Sequence, residues 1–183
     1  MKVYDKLDDR IISFIEKQKM FFVASAPLSA DGHINLSPKG YDAFKVIDDT
    51  TVCWLDLGGS GIETQAHVQE NGRLTIMFCA FEGPANILRL YGTGEIVNPH
   101  HAEWDEMLSL FPGFERARGI FKVKLKRIQD SCGWGVPFYE FKGERDQLTR
   151  YVDNKSTEEW VESRYEKNGE SIDGLTGLVR EAS

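Results

Sequence analysis

The middle of the chain is a succession of short apolar runs joined by turns, and this pattern most narrows the choice of folds. Arg73–Phe81 and Ile87–Val97 have the composition of strands, and only a short turn containing Glu82-Gly83-Pro84 separates them. A connection this short joins antiparallel neighbours, because a parallel pair needs a crossover of about a dozen residues or more. The pattern therefore predicts an antiparallel sheet.

Other predicted strands lie on both sides of this pair, at residues 20–28, 34–40, 52–57 and 121–126. The first two flank Asp31-Gly32, which predicts a hairpin turn with a glycine at positive φ. About six antiparallel strands with peripheral helices predict a mainly β fold, a closed or partly closed barrel. A parallel dinucleotide-binding sheet fits poorly, because no G-x-G-x-x-G follows a strand.

The helices are predicted at residues 5–18, 60–72, 98–110 and 144–167. Ser60 and Glu63 have the spacing of a capping box, and Gly72 is a residue type that ends helices. We expect the tail from residue 168 onward to dock on the body as a loop. No linker or repeat divides the chain, so residues 1–183 are expected to form one domain, with the C-terminal helix and tail starting near residue 144.

The charge balance limits the classes of partner. With 22 Lys and Arg against 29 Asp and Glu, the net charge is −7, which argues against binding to nucleic acid or to anionic membranes. No apolar stretch approaches the roughly 20 residues that span a bilayer, and six of the first ten residues are charged, so we expect a cytoplasmic protein. Cys53, Cys79 and Cys132 are expected to be buried, reduced thiols.

Two motifs are candidates for holding an anion. Gly58-Gly59-Ser60-Gly61 opens a predicted helix whose free N–H groups attract negative charge, and Thr64 adds a hydroxyl. Ser37 and Lys39 share one face of a predicted strand in which Pro38 indicates an edge or a bulge. The alternative is that Ser60 only caps its helix, and that Lys39 is a solvated lysine beside a turn.

Two further side chains are candidates for ligand contact. Arg89 interrupts an apolar strand, so it must be paired or must face a polar ligand. Trp134 follows Gly133 in a glycine-rich turn and can stack on a planar ring. A structural salt bridge for Arg89 and a core position for Trp134 are the alternatives.

The order of these motifs resembles the pyridoxamine 5′-phosphate oxidase-like family of FMN-binding split barrels. The likeness spans about residues 10–130 and includes Asn35–Gly40, Trp54–Leu57, the glycine-rich helix start and Leu88–Gly92. The resemblance implies a homodimer with two FMN sites, each built from both chains. It places eight residues near the flavin or its phosphate: Ser37, Lys39, Leu55, Asp56, Ser60, Thr64, Gln65 and Arg89, with Arg89 supplied by the partner chain. Trp134 joins them as a candidate cofactor contact, because the turn that carries it is expected to lie over the flavin.

The sequence departs from the oxidase proper at three positions of the implied site. Thr64-Gln65 replaces an arginine-lysine pair, Ile87 replaces a flavin-contacting glutamine, and Asn35 replaces an arginine. The resemblance implies an FMN-dependent oxidoreductase acting on a small-molecule substrate or reductant, with a deazaflavin as the alternative cofactor. The other functions left open are a non-catalytic flavin- or haem-binding carrier or sensor, and a structural dimer without a cofactor.

Overall fold

A computed structural model describes residues 1–180, and its body is one sheet of eight strands. The strands are β1 (Lys2–Tyr4), β2 (Phe21–Ser25), β3 (Asn35–Lys39), β4 (Phe44–Asp48), β5 (Thr51–Asp56), β6 (Arg73–Cys79), β7 (Ile87–Val97) and β8 (Gly119–Ser131). They lie in the order β3-β2-β6-β7-β8-β5-β4, and β1 pairs with β8 outside this path. All pairings are antiparallel, which confirms the predicted mainly β fold.

The sheet curls until strands near its opposite ends touch. The ring of Phe21 on β2 lies 5.1 Å from that of Phe44 on β4, although four other strands lie between them in the sheet order. Phe44 also contacts Phe78 of β6, with ring centroids 5.0 Å apart. Ile11 and Ile15 from the first helix pack into the same apolar interior. The result is a barrel that β3 and β4 leave open.

Five helices surround the sheet: α1 (Asp9–Lys17), α2 (Glu63–Asn71), α3 (Trp104–Leu108), α4 (Gln147–Asp153) and α5 (Thr157–Asn168). Gly72 ends α2 in the left-handed conformation, at φ 71°, as predicted. The predicted capping box at Ser60 is wrong, because α2 begins at Glu63 without a side-chain cap. The carbonyl of Gly61 is instead held by Arg118, and this contact keeps the preceding loop out of the helix.

Three other predictions need correction. Residues 98–103 form turns rather than helix, because the side chain of Asn98 accepts a hydrogen bond from the N–H of His100 and stabilises a local turn. The predicted helix at 144–167 is divided into α4 and α5, since Ser156 and Glu159 form a capping box that starts a new helix. Strands β1 and β4 were not predicted, so the sheet has eight strands instead of about six.

Two glycines occupy positions that have no room for a side chain. The β2–β3 hairpin forms as predicted, but Gly32 does not have the predicted positive φ. Glycine is needed there because a Cβ would lie 2.3 Å from the side chain of Pro27. In β7 the register shifts between Tyr91 and Gly92, where a Cβ would lie 2.6 Å from the carbonyl oxygen of Lys124. The predicted bulge or close approach in β7 is therefore confirmed.

The cysteines are free, but they differ in environment. Cys53 and Cys79 are buried as predicted, and burial raises the pKa of Cys53 to about 12. Cys132 is exposed, so the prediction of three buried thiols is wrong for this residue. The reason is its position after β8 ends, where the chain leaves the sheet. Separately, the helices described within residues 1–180 are too short or too polar to cross a bilayer.

Candidate functional site

Strand β3 presents a row of polar side chains toward the barrel. Asn35, Ser37 and Lys39 lie opposite Ser25, Val23 and Phe21 of β2, so they share the inward face of the sheet. The strand lies at the end of the sheet order, which leaves its outer edge free of a strand partner and explains the tolerance of Pro38. This polar row is the part of the predicted site that the fold assembles most directly.

Helix α2 packs against this row through Thr64. The side-chain nitrogen Nδ2 of Asn35 donates a hydrogen bond of 2.8 Å to Oγ1 of Thr64. Thr64 is 9% exposed, and its hydroxyl proton needs an acceptor of its own. The structure thus joins the start of α2 to the Asn35 end of the polar row, and Ser37 and Lys39 follow Asn35 along the same face of β3.

Two features of the row suit a polar, anionic ligand. Oγ of Ser37 is buried and has no hydrogen-bond partner in the described part of the chain, an arrangement that costs about 1–3 kcal/mol unless a ligand or water pairs with it. Lys39 forms no ion pair within residues 1–180. An oxygen-rich ligand with negative charge would satisfy both groups.

Helix α2 also carries a buried histidine, His67, that was not among the predicted site residues. His67 is fully buried, and its Nδ1 lies 2.9 Å from Oγ of Ser25. Its Nε2 has no hydrogen-bond partner among the described residues. Burial lowers the pKa of His67, which favours the neutral imidazole. The one available signal was its spacing from Thr64, since residues three apart lie on the same side of a helix.

The other residues predicted near α2 lie in different surroundings. Ser60 is exposed in the loop before the helix. Gln65 is buried, and its side-chain nitrogen donates to Oε1 of Gln69 at 2.7 Å, along the helix. The N–H of Ala66 donates to the carbonyl of Ile62 in the first turn of α2, and the first N–H groups of a helix have no partner within the helix.

The side chains of Leu55 and Asp56 are already engaged within the protein. Leu55 is 2% exposed and packs in an apolar cluster that includes Phe111 and Ile120. Oδ2 of Asp56 accepts hydrogen bonds from Nε of Arg118 at 3.0 Å and from Nη2 at 2.9 Å. Their predicted flavin contacts, if made, therefore come from the backbone.

Arg89 and Trp134 lie at a different part of the barrel. Nη1 of Arg89 donates to Oγ of Ser131 at 3.0 Å, where β7 begins and β8 ends. Trp134 follows β8 and is 86% exposed, so the alternative of a core position is wrong. Neither side chain lies in the polar row of β3, so within one chain Arg89 and Trp134 are not brought together with Ser37 and Lys39.

A cavity of about 550 Å³ lies under α1, and a second, of about 460 Å³, opens beside Lys39. The second cavity is lined by four aromatic residues, Tyr41, Phe81, Tyr139 and Phe141, and the rings of Phe81 and Tyr139 are 5.4 Å apart.

Tyr41, in the wall of this cavity, has an unusual backbone conformation, with φ 61°. Its hydroxyl donates a hydrogen bond of 2.6 Å to the carbonyl of Arg145. A non-glycine residue in this conformation is uncommon and is often found at functional sites. Aromatic walls beside a cation can hold a flat, anionic molecule.

Comparisons with known proteins show the family of the chain. Residues 7–132 match the family model described as pyridoxamine 5′-phosphate oxidase. The chain is 32% identical to the pyridoxamine 5′-phosphate oxidase family protein ustO of Aspergillus flavus, over 96% of this chain and 77% of that one.

Solved structures share the fold at lower identity. HupZ of Group A Streptococcus has a TM-score of 0.55 at 20% identity, covering 73% of this chain and 99% of that one. A candidate pyridoxamine 5′-phosphate oxidase from Lactobacillus delbrueckii has a TM-score of 0.54 at 14% identity, covering 70% and 99%. These likenesses support the fold, and the fold is the predicted split barrel. With the family model matching most of its length, the chain belongs to the pyridoxamine 5′-phosphate oxidase family.

Proposed function

We propose that the chain is an FMN-dependent oxidoreductase of this family, acting as a homodimer on a small-molecule substrate. The observation that carries the proposal is the hydroxyl of Ser37, which has no hydrogen-bond partner within residues 1–180. It lies on the inward face of β3 beside Lys39, which forms no ion pair in the same part of the chain. Together with Thr64 these groups fit a phosphorylated, oxygen-rich cofactor. The proposal includes a single domain, in which α4, α5 and the tail extend the barrel.

The chain's own residues would bind and orient the cofactor. Lys39 supplies a positive charge, and Ser37 and Thr64 supply hydroxyl groups that donate or accept hydrogen bonds. The aromatic cavity beside Lys39 gives a substrate a place to stack and excludes water. Bound FMN would accept a hydride and pass electrons to an acceptor, so the protein needs no nucleophile of its own.

The spectrum and mass of the small molecule that copurifies with the protein test this proposal. We expect a yellow protein whose ligand has the mass of FMN, and bleaching by NAD(P)H followed by return of the colour in air. A flavin that cannot be reduced and reoxidised would indicate a carrier or sensor. A haem spectrum, or a colourless protein that binds neither FMN nor riboflavin, would contradict the proposal.

The exposed aromatic residues after β8 support the dimer. Trp134, Phe138 and Tyr139 are 86%, 79% and 63% exposed, an arrangement that is costly for a monomer in water and typical of an interaction surface. We expect sedimentation to show a dimer at micromolar concentration, with an interface of more than about 2,000 Å². A stable, folded monomer would contradict both the dimer and a cofactor site shared between chains.

Substitution of Trp134 separates a cofactor role from a structural one. Because the indole is exposed, we expect Trp134→Ala to change the free energy of unfolding by no more than about 0.5 kcal/mol. If the indole stacks on the flavin of the partner, the same change alters flavin fluorescence. Trp160→Ala is the control, because this indole is buried away from the proposed flavin contact. Its removal should lower the free energy of unfolding by about 3–5 kcal/mol and leave flavin fluorescence unchanged. Unchanged flavin fluorescence in Trp134→Ala would contradict the stacking.

A further inference from the structure

A cavity of about 740 Å³ lies between α2, β7, α5 and the tail, and we refer to it as the α5 cavity. It is lined by Gln65, Ile96, Arg118, Arg164, Leu178 and Arg180, among others. Thr64 of α2 contacts β3, whereas Gln65, which the resemblance places near the flavin phosphate, lines this cavity. Ser37, Lys39 and Thr64 are not among the lining residues, so the α5 cavity adjoins the start of α2 but does not include the polar row assigned to the flavin.

The α5 cavity is rich in arginine although the chain as a whole is acidic, with a net charge of −7. The residues with formal charge among its described lining are Glu95, Arg118, Arg164 and Arg180. Arg118 pairs with Asp56, Arg180 pairs with Glu162, and Glu95 lies 3.5 Å from Lys122. Within the described chain, Arg164 is the member of this set without an oppositely charged partner.

Arg164 is held in place but only partly satisfied. Its Nη1 donates to the carbonyl of Ala117 at 3.1 Å, and its guanidinium lies 5.4 Å from the centre of the Trp160 ring. Its Nε is buried and finds no acceptor among residues 1–180. Burial, and then the neighbouring charge of Arg118, lower the pKa of Arg164. Because a guanidinium stays charged in proteins, a site of this kind gains most from a bound anion.

We propose that the α5 cavity binds a small organic anion, whose carboxylate or phosphate group pairs with Arg164 beside Arg118. The planar guanidinium suits either group, because each presents oxygens at the spacing of its N–H donors. The walls contributed by Ile96, Val161 and Leu178 provide an apolar surface for the body of the molecule. The volume is in the range of cavities that hold small ligands.

Thermal unfolding of the full chain, as purified with its cofactor, tests the proposal. The probes are phenyl phosphate, benzoate and inorganic phosphate, each compared with sodium chloride at the same ionic strength. At about 100-fold excess over its Kd, the preferred probe should raise the Tm of the wild-type protein by roughly 5–10 °C. The comparison of phenyl phosphate with benzoate identifies the anionic group, and inorganic phosphate shows whether the apolar body contributes.

Substitutions of Arg164 show whether the rise in Tm comes from binding in the α5 cavity. Arg164→Met should lose the rise in Tm, and Arg164→Gln provides the same test if the first variant folds poorly. Arg116→Met is the structural control: Arg116 donates to the carbonyls of Val152 and Lys155, so its loss should lower Tm equally with and without probe. Lys126→Ala, which removes an exposed lysine of β8, should keep the response.

Three outcomes would overturn the proposal. They are no response in the wild-type protein, a response that survives in both Arg164 variants, and release of the bound flavin by the probe. The last outcome would place the anion at the flavin site instead. Absence of bound FMN, by contrast, would contradict the proposed function and leave this inference standing.

Discussion

Asp56→Ala should lower the free energy of unfolding by about 3–5 kcal/mol, because it leaves the charge of Arg118 buried without its carboxylate. Both side chains are nearly inaccessible, at 7% and 8% exposure, and Arg118 also holds Gly61 and Asn168. The loop before α2 and the helix α5 therefore depend on this one guanidinium. For a chain of this size the expected loss is roughly 6–20 °C in Tm, measured by calorimetry.

The controls distinguish loss of the ion pair from loss of a polar residue. Asp42→Ala removes an exposed carboxylate that pairs with Lys45 at 2.6 Å, and it should change stability by no more than about 1 kcal/mol. The double variant Asp56→Ala with Arg118→Met should be more stable than Asp56→Ala alone, since no charge is left unpaired. If Asp56→Ala alone is as stable as the wild type, the prediction is wrong, because Arg118 then finds another anion or reaches water.

The parts of the fold that sequence could predict are those with a local pattern. Strand β7 has the predicted bounds, Ile87–Val97, because its apolar run and flanking turns define it without reference to any neighbour. Strand β4, at Phe44–Asp48, has a weaker pattern and forms by pairing with β5. The helix predicted at Ser60 starts later for a similar reason, since Arg118, far away in sequence, binds the carbonyl of Gly61.

In the candidate site, too, the sequence predicts what a local pattern determines and misses contacts between residues that are distant in the chain. Alternation along a strand was enough to put Ser37 and Lys39 on one face, and the structure places them there. Nothing in the sequence pairs Asp56 with Arg118, which is 62 residues away, or brings Arg164 to the same region. Long-range pairs of this kind depend on the order of the strands in the curled sheet and on the docking of α5, which no local spacing encodes.

Lys39→Ala should weaken FMN binding about ten- to a hundred-fold. A phosphate monoester carries about −1.5 to −2 charges near neutral pH, and a protein of net charge −7 must supply local positive charge to hold it. Arginine and lysine are absent from positions 35, 64 and 65, so in the described part of one chain Lys39 is the cation on the polar row. A charge-assisted contact contributes about 1.5–3 kcal/mol, which corresponds to the stated loss of affinity.

Riboflavin makes this prediction specific, because it has the same ring system without the phosphate. Fluorescence titration should give wild-type protein and Lys39→Ala nearly equal affinity for riboflavin, while the affinity for FMN differs between them. Lys126→Ala, which removes an exposed lysine of β8, should leave both affinities unchanged. If Lys39→Ala weakens riboflavin as much as FMN, then Lys39 supports the ring or the strand, and the phosphate must be held by the N–H groups at the start of α2.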